Sequence, residues 1–344
     1  MTRPARLLSR LVALLLALLG PPAYADQTAS LSIDITTPPG EDYAAAIALI
    51  KQAGASVTSL SLAWDDFETA TGSYAPQTDW PAIADAYYPG ERIGLILTLS
   101  VIDTTADRRP ADLKALAWDD PSVIARFNAH LEAVLSRLTH TDLRAIAIGN
   151  EVDVALKTPA GRAAFARFLA ATAPVARKLR PGVPVATKLT AASLTSAPAD
   201  WQDIRATGDA LFVTYYPLSA DFAALPPDAP ATDLPALLAL AGQQPLFLLE
   251  AGYPSAGCGS DPAAQLQFLQ SLFTAWRAAG PKAIPLVSLS WLTDIPAAEV
   301  ATYARYYAVS APCFGQFLGS LGLRDDTGAA KPALTALLTT RMTP

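Results

Sequence analysis

The chain has 344 residues, of which 51% are apolar and 16% are charged, and its formal net charge is −6. This length suffices for one large domain or two smaller ones, and the many spaced apolar runs exclude a disordered chain. The acidic balance makes nucleic acids and other polyanions poor partners, whereas a neutral glycan meets no such electrostatic obstacle.

The N-terminus has the pattern of a secretory signal peptide. Three arginines fall within the first ten residues, the apolar stretch Leu11–Leu19 follows, and Ala23-Tyr24-Ala25 is an A-x-A cleavage site. The alternative, an uncleaved anchor, needs about 20 apolar residues to span a bilayer. We therefore predict cleavage after Ala25 and a secreted or periplasmic protein, with no membrane span in the mature chain.

Short apolar runs alternate with helical patterns along the rest of the chain. In the first half the predicted strands are Leu31–Ile35, Val57–Trp64, Ile93–Val101 and Arg144–Gly149, and the predicted helices are Glu41–Ala53, Pro81–Tyr88, Pro121–Leu138 and Gly161–Leu179. In the second half the strands are Val183–Leu189, Leu211–Tyr216, Leu246–Glu250 and Leu286–Trp291, and the helices are Leu234–Ala241, Pro262–Ala279 and Pro296–Val309. The Pro/Ala-rich run Leu225–Pro235 is predicted to be an extended surface loop.

The alternation predicts the fold class. Strands that are apolar throughout are typical of parallel sheets covered on both faces, and eight strand–helix units fit a closed (β/α)8 TIM barrel. The alternative is an open doubly wound sheet, which usually has a glycine-rich loop after its first strand. Here Thr36–Gly40 follows instead. We therefore predict an α/β single-domain barrel over residues 26–344.

Two predicted strands end in a carboxylate. Glu151 follows Asn150 at the end of the fourth strand, and Glu250 ends the seventh. The active sites of TIM barrels lie at these carboxyl ends, and burying a carboxylate there is costly unless it is paired or used. Two facing carboxylates suit glycoside hydrolysis, in which one is the proton donor and the other attacks the anomeric carbon.

The sequence motifs around these residues resemble the signature of the glycoside hydrolase clan A barrels. Ile148-Gly149-Asn150-Glu151-Val152 together with Glu250-Ala251-Gly252-Tyr253-Pro254-Ser255 is most similar to family 17, the β-1,3-glucanase type, and Gly-Asn-Glu is also similar to family 53. The resemblance implies that Glu151 is the acid/base, that Glu250 is the nucleophile, and that Asn150 binds the 2-hydroxyl of the sugar. It also implies retention of anomeric configuration and a β-linked neutral glycan, with β-glucan favoured.

Further site residues follow from the same resemblance. Tyr215 ends the sixth strand, where clan members often have an aromatic hydroxyl that holds the nucleophile, and Trp291 ends the eighth, where they place a sugar platform. Trp64 is predicted to extend that platform, and Asp34 and Asp65 to bind hydroxyls. The positions of two neighbouring residues are left open: Tyr216 lies either in the cleft or in the core, and Lys188 lies either in the cleft or in solvent.

The cysteines, the histidines and the absence of other motifs limit the reaction types that the sequence allows. Cys258 and Cys313 are predicted to form a disulfide in an oxidising compartment, the alternative being two separate thiols. Many clan A enzymes carry an Arg or His near the ends of strands 2 to 4, but the two histidines, His130 and His140, lie in or near the third helix and are interpreted as surface residues. No metal-ligand spacing, serine elbow or cofactor motif is present, so we predict neither metal nor cofactor.

The predicted function is a monomeric retaining glycoside hydrolase or transglycosylase acting on an oligo- or polysaccharide. The alternative of another class is a non-catalytic carbohydrate-binding barrel, which would keep the aromatic platform but would not need both glutamates. The sequence does not name the sugar or the linkage.

Overall fold

The structure is a computed structural model that describes residues 29–340, so the predicted signal peptide lies outside the described residues. It contains ten strands: β1 (Ser30–Ile33), β2 (Val57–Ala63), β3 (Gly94–Asp103), β4 (Ala106–Asp107), β5 (Leu143–Asn150), β6 (Val185–Ala186), β7 (Lys188–Thr190), β8 (Leu211–Tyr215), β9 (Leu246–Ala251) and β10 (Leu286–Leu289).

The strands form the predicted barrel. Their order is β6-β5-β3-β2-β1-β10-β9-β8-β7, and every pair along this path is parallel. Only Thr187 separates β6 from β7, so these two are the halves of one barrel strand and the sheet closes on itself. β4 is a short antiparallel appendage of β3. The eight predicted barrel strands are thus confirmed.

Helices surround the barrel. They are α1 (Tyr43–Gln52), α2 (Trp64–Phe67), α3 (Trp80–Glu91), α4 (Pro121–Leu135), α5 (Val152–Ala155), α6 (Pro159–Leu179), α7 (Ala191–Ser196), α8 (Gln202–Arg205), α9 (Pro230–Ala241), α10 (Pro262–Ala279), α11 (Ala297–Tyr306), α12 (Pro312–Leu318) and α13 (Pro332–Thr340). No helix within residues 29–340 is long and apolar enough to cross a membrane.

Local sequence explains where the long helices start. α4, α6 and α10 each begin with proline, which tolerates the first helical position because its missing N–H needs no partner there. The residue before each proline caps the helix: the side chains of Asp120, Thr158 and Asp261 accept backbone N–H bonds from the first turn. A proline also occupies the first position of α9, which begins at Pro230. The prediction of an extended loop over Leu225–Pro235 is therefore wrong from Pro230 onwards.

Side chains of the strands alternate between two apolar layers. One lies inside the barrel and combines small residues with large ones: Val57, Ile96, Ala145, Ala147, Ala186, Ala210, Phe212, Phe247, Leu249 and Leu286. The other, much larger layer lies between the barrel and its helices and includes Leu31, Ile33, Leu62, Val213 and Leu248. This alternation decides which side chains at the strand ends face the barrel mouth.

Candidate active site

Glu151 stands at a sharp turn between β5 and α5. Gly149 has φ +90°, and a Cβ there would lie 2.5 Å from Cγ1 of Val152, so only glycine fits. Glu151 itself has φ 45° and ψ 46°, a left-handed conformation that is uncommon for a residue with a side chain. Such backbone is typical of functional sites, where the surrounding structure holds a side chain in place.

Two threonine hydroxyls orient the Glu151 carboxyl. Thr104 Oγ1 donates to Oε2 at 2.9 Å, and Thr214 Oγ1 donates to Oε1 at 2.8 Å. Burial, and after it the negative charge of Glu250, raises the pKa of Glu151 to about 7. A carboxyl with this pKa retains much of its proton near neutral pH, as a general acid must.

Glu250 reaches the mouth because β9 carries a bulge. Val213 pairs with Leu248, but Thr214 pairs with Glu250, so one residue of β9 is skipped. Leu249, the skipped residue, points into the barrel interior. Bulges commonly re-aim side chains next to active sites, and this one lets Glu250 also face the mouth.

Two donors hold the Glu250 carboxylate. Lys188 Nζ donates to Oε1 at 2.7 Å, and the Tyr216 hydroxyl donates to Oε2 at 2.9 Å. Lys188 is only 2% exposed, so its ammonium and the carboxylate form a pair that is shielded from solvent. A hydrogen bond between an ammonium and a carboxylate is charge-assisted, and such bonds are shorter and stronger than neutral ones.

Lys188 is the main functional residue that the sequence left undecided. It is neither solvated nor at the cleft rim; it points into the barrel, two residues after the inward-facing Ala186. The alternation of strand side chains was the signal that could have found it. Its ammonium supplies the site with a cation next to Glu250, a position that neither histidine occupies.

Tyr215 does not hold the nucleophile, and this prediction is corrected by one residue. On β8, Phe212 and Thr214 face inward, so Tyr215 faces outward, where its ring stacks on Phe268 and its hydroxyl donates to Asp233 at 2.8 Å. Tyr216, one position further, faces the mouth and bonds Glu250. The register of β8, not the residue type, decides which of the two tyrosines contacts Glu250.

Asn150 and Trp291 lie where the sequence placed them, beside Glu151 and Glu250 on one cavity wall. Asn150 Nδ2 donates to Asp103 Oδ1 at 3.0 Å, while its own Oδ1 is buried and has no partner within the described part of the chain. A sugar hydroxyl can satisfy that acceptor. The indole of Trp291 stacks with Tyr303 and thereby presents an aromatic face at the end of the barrel.

Trp64 and Asp65 lie away from the cavity, which corrects two predicted roles. The alternation from the inward-facing Val57 turns Trp64 outward, where it is fully buried and its Nε1 donates to Glu68 at 2.7 Å. Asp65 is paired with Arg108 at 2.7 Å and serves loop structure. Neither side chain lines the cavity.

His130 was interpreted as a surface residue and is instead completely buried. It packs among aromatic rings that include Trp64 and Phe127, and burial lowers its pKa to about 3. His140 is exposed and contacts Asp85. Both histidines therefore lie far from the chemistry, as expected, but only one is at the surface.

Asp34 faces inward at the end of β1, below the cavity. It accepts a hydrogen bond from Ser288 Oγ at 3.2 Å. Burial raises its pKa to about 6, with the charge of Glu250 adding to the effect. Asp34 is thus placed to shape the electrostatics beneath Glu250, and it is not among the residues that line the cavity.

The cavity between the two glutamates has a volume of about 380 Å³, within the range of small-molecule sites. What we term the Asp103–Tyr306 bridge adjoins this cavity, since Thr104 and Tyr307, the residues that follow its two members, line the cavity. The hydroxyl of Tyr306 on α11 donates to Asp103 Oδ2 at 3.0 Å and accepts from Arg108 at 2.9 Å. The loops after β3 and β10 therefore meet above β1 and β2.

The predicted disulfide between Cys258 and Cys313 is present, with an S–S distance of 2.05 Å. Cys258 lies in the loop after β9, and Cys313 lies in the first turn of α12. The disulfide therefore fixes α12 against the mouth of the barrel, where Phe314, Phe317 and Leu318 of this helix line the cavity.

The arrangement can perform acid–base and nucleophilic chemistry on one substrate. A carboxyl with a raised pKa and a carboxylate paired with an ammonium share the same cavity, which is the asymmetry that glycoside cleavage requires. Within residues 29–340, no group of three or more His, Cys, Asp or Glu side chains is arranged to hold a metal ion.

Comparisons with solved structures find barrels of the same architecture. An exo-β-1,4-mannosidase from Opitutaceae bacterium strain TAV5 is 18% identical, with a TM-score of 0.72; the match covers 93% of this chain and 61% of that one. A family 5 subfamily 18 glycoside hydrolase from Streptomyces cattleya, in complex with Manβ1-4GlcNAc, is 17% identical, with a TM-score of 0.67 and coverage of 91% and 80%. A β-glucosidase is 18% identical, with a TM-score of 0.58 and coverage of 86% and 85%.

These identities establish the fold and leave the family open. No protein-family model matches the sequence, and no curated protein matches it. The structural neighbours include barrels of glycoside hydrolase families 5 and 39, whereas the finer resemblance to family 17 or 53 stays a prediction. This chain spans about three fifths of the length of the Opitutaceae enzyme.

Proposed function

We propose that the protein is a retaining β-glycosidase that works by double displacement. The observation that carries the proposal is the unequal environment of the two glutamates: Glu151 is half-buried between two threonine hydroxyls and has a pKa raised to about 7, whereas Glu250 is bonded to Lys188 and Tyr216. One group is therefore suited to carry a proton and the other to attack.

The proposed cycle has two steps. In the first, a carboxylate oxygen of Glu250 forms a bond to the anomeric carbon, the glycosidic C–O bond breaks, and the leaving oxygen takes the proton of Glu151. In the second, Glu151, now a carboxylate, removes a proton from water, which displaces Glu250 and leaves a β-configured sugar. A sugar hydroxyl in place of the water would give transglycosylation.

The proposed glycone is a neutral β-linked sugar. The buried acceptor of Asn150 suits a hydroxyl, and the indole of Trp291 suits the C–H face of a pyranose. The sequence resemblance favours a β-glucan, while the structural neighbours are described as a mannosidase and a β-glucosidase. β-Glucosides and β-mannosides are therefore the first substrates to test. The Asp103–Tyr306 bridge adjoins the cavity, and we propose that it limits the length of substrate on that side, so that a chain end is attacked.

The predicted export remains part of the proposal. A disulfide between Cys258 and Cys313 fits an oxidising compartment, in agreement with the N-terminal pattern. Detection of a mature protein that begins at Asp26 in the secreted or periplasmic fraction would test this point.

The deciding experiment measures turnover on a panel of β-glycosides, with NMR detection of the anomer that is formed first. We expect a β-product from the wild type and losses of at least about 10⁴-fold in Glu250→Gln, because the nucleophile is removed. Glu91→Gln is the matched control, since Glu91 is an exposed residue of α3 that pairs with Lys51.

Two outcomes would overturn the proposal. An α-product formed first would replace retention by inversion. Equal behaviour of wild type and Glu250→Gln on every glycoside, combined with binding of one of them, would identify a non-catalytic carbohydrate-binding barrel instead.

A further inference from the structure

The cavity has two chemically different sides. Asn150, Glu151 and Glu250 make one part of its wall polar, whereas another part is lined by aliphatic and aromatic side chains. The apolar residues that matter most come from four separate segments of the chain: Val154, Ala191, Leu218, Phe222, Phe314 and Phe317. Because such distant segments converge on one surface, the apolar side is a feature of the fold, not of one loop.

Two polar side chains on this side already make hydrogen bonds within the protein. Thr190 Oγ1 donates to Asp153 at 2.6 Å and accepts from the N–H of Ser193 at 3.1 Å. Ser219 Oγ accepts from the N–H of Ala223 at 3.1 Å. A second sugar unit would bring several hydroxyls to this surface, and burying a hydroxyl without a partner is costly. The surface therefore disfavours a sugar.

The apolar side is next to the proton donor. Val154 lies in α5, the helix that directly follows Glu151, and Ala191 starts the helix after β7. The Asp103–Tyr306 bridge, by contrast, adjoins the cavity at the end of β3. The leaving group departs from beside Glu151, since this residue gives it a proton, so it departs towards the apolar side.

The aromatic part of this surface is held in place by contacts between its rings and by a disulfide. Phe222 packs edge-on against Phe314, with ring centroids 5.0 Å apart, and stacks on Phe317 at 6.0 Å. The disulfide of Cys313 anchors the helix that carries Phe314 and Phe317. A preformed apolar surface binds an apolar group without first having to order itself.

We propose that this surface binds an apolar aglycone, so that the substrates are β-glycosides of alkyl or aryl alcohols and not the internal linkages of a glycan chain. The inference rests on the proposed glycosidase function. In the reaction, the C–O bond between the anomeric carbon and the aglycone oxygen breaks, Glu250 bonds to the carbon, and the alcohol leaves with the proton of Glu151.

The test uses n-alkyl β-glycosides from methyl to hexyl, all carrying one sugar to which the protein responds. Their leaving alcohols differ little in acidity, so differences in kcat/KM report binding of the alkyl chain. We expect a rise of about two- to fourfold for each added methylene that reaches the surface, which is on the order of 30- to 1,000-fold over the series if all five reach it. The disaccharide with the same glycone should lie near the methyl glycoside.

Substitution of Phe222 sharpens the test. Phe222 has φ 62°, a conformation that asparagine tolerates well, so Phe222→Asn replaces apolar surface without backbone strain. We expect it to remove most of the chain-length dependence. Phe222→Leu, the matched control, should keep most of it, and thermal unfolding checks that both variants fold.

The possible outcomes distinguish failure of the aglycone proposal from failure of the glycosidase proposal on which it rests. If methyl and hexyl glycosides are cleaved equally, within about threefold, or if the disaccharide is preferred to both, the aglycone proposal is wrong while the glycosidase proposal stands. If no β-glycoside of any kind is cleaved, the glycosidase proposal itself fails.

Discussion

Glu151 and Glu250 are the same residue type at the ends of two parallel strands of one barrel, yet their surroundings differ in kind. Glu250 contacts an ammonium and a phenol. Glu151 contacts two aliphatic hydroxyls and has no cation among its hydrogen-bond partners in the described residues. Neighbours, and not residue type, therefore give the two carboxyl groups the different properties on which the proposed roles of acid and nucleophile rest. Four predictions test this contrast.

The largest effect is expected from Lys188→Met. Removing the ammonium takes away the charged donor that holds Glu250 in place, and we expect kcat/KM to fall by about 10²–10³-fold, similar to the loss of a preorganised donor elsewhere. Lys51→Met, which removes an exposed lysine that also pairs with a glutamate, should leave kcat/KM within about twofold, as expected for surface pairs. Equal, small effects of both variants would remove Lys188 from the proposed mechanism.

The two adjacent tyrosines give a matched pair. Tyr216→Phe removes a hydrogen bond to the Glu250 carboxylate, and we expect a loss of about 10–100-fold in kcat/KM, the range of bonds to charged groups. Tyr215→Phe removes a bond to Asp233 outside the barrel, so it should lower the free energy of unfolding by about 1 kcal/mol and leave activity near wild type. The reverse pattern would contradict the assignment of the two side chains.

The pH dependence of kcat/KM tests the state of Glu151. Because its pKa is raised to about 7, the fraction that still holds a proton falls as pH rises through 7. We therefore expect activity to decline on the basic side with an apparent pKa close to 7, while an ordinary glutamate would already have lost its proton near pH 4.5. A profile that stays flat from pH 5 to pH 9 would show that Glu151 does not donate the proton.

The smallest effect is expected from Thr214→Val. The hydroxyl of Thr214 stabilises the anion of Glu151 and lowers its pKa, so its removal should move the basic limb of the pH profile to higher pH. The loss of activity at the optimum should stay below about tenfold, the value of one neutral hydrogen bond. Thr195→Val, in which a solvent-side helical hydroxyl is lost, is the control. A limb that moves to lower pH would contradict the role given to Thr214.

Much of the architecture was predictable because it depends on patterns that a chain carries locally. Buried parallel strands must be apolar on both faces, so all eight were recognisable as apolar runs. Glu151 and Glu250 were recognisable because a carboxylate at the end of such a run is out of place unless it is used. Element ends were less accurate: α12 and α13 were missed, and α9 starts earlier than expected.

The errors at the site have a common origin. Trp64 and Tyr215 were assigned to the mouth because they end a strand, but a strand end offers two faces and only register tells which one a side chain takes. The bulge in β9 shows the reverse case, since it brings Glu250 to the mouth after the inward-facing Leu249. Neither the register at a strand end nor the bulge in β9 can be recognised from the local sequence.

By itself, then, the sequence determined the barrel, the pair of glutamates with Asn150 and Trp291 beside them, and the cysteines that form the disulfide. Tertiary structure alone decided that Lys188 and Tyr216 hold one glutamate, that Thr104 and Thr214 hold the other, and that an apolar surface lies beyond them. The physical reason is distance along the chain: Lys188 and Glu250 are 62 residues apart, and only closure of the barrel makes them neighbours.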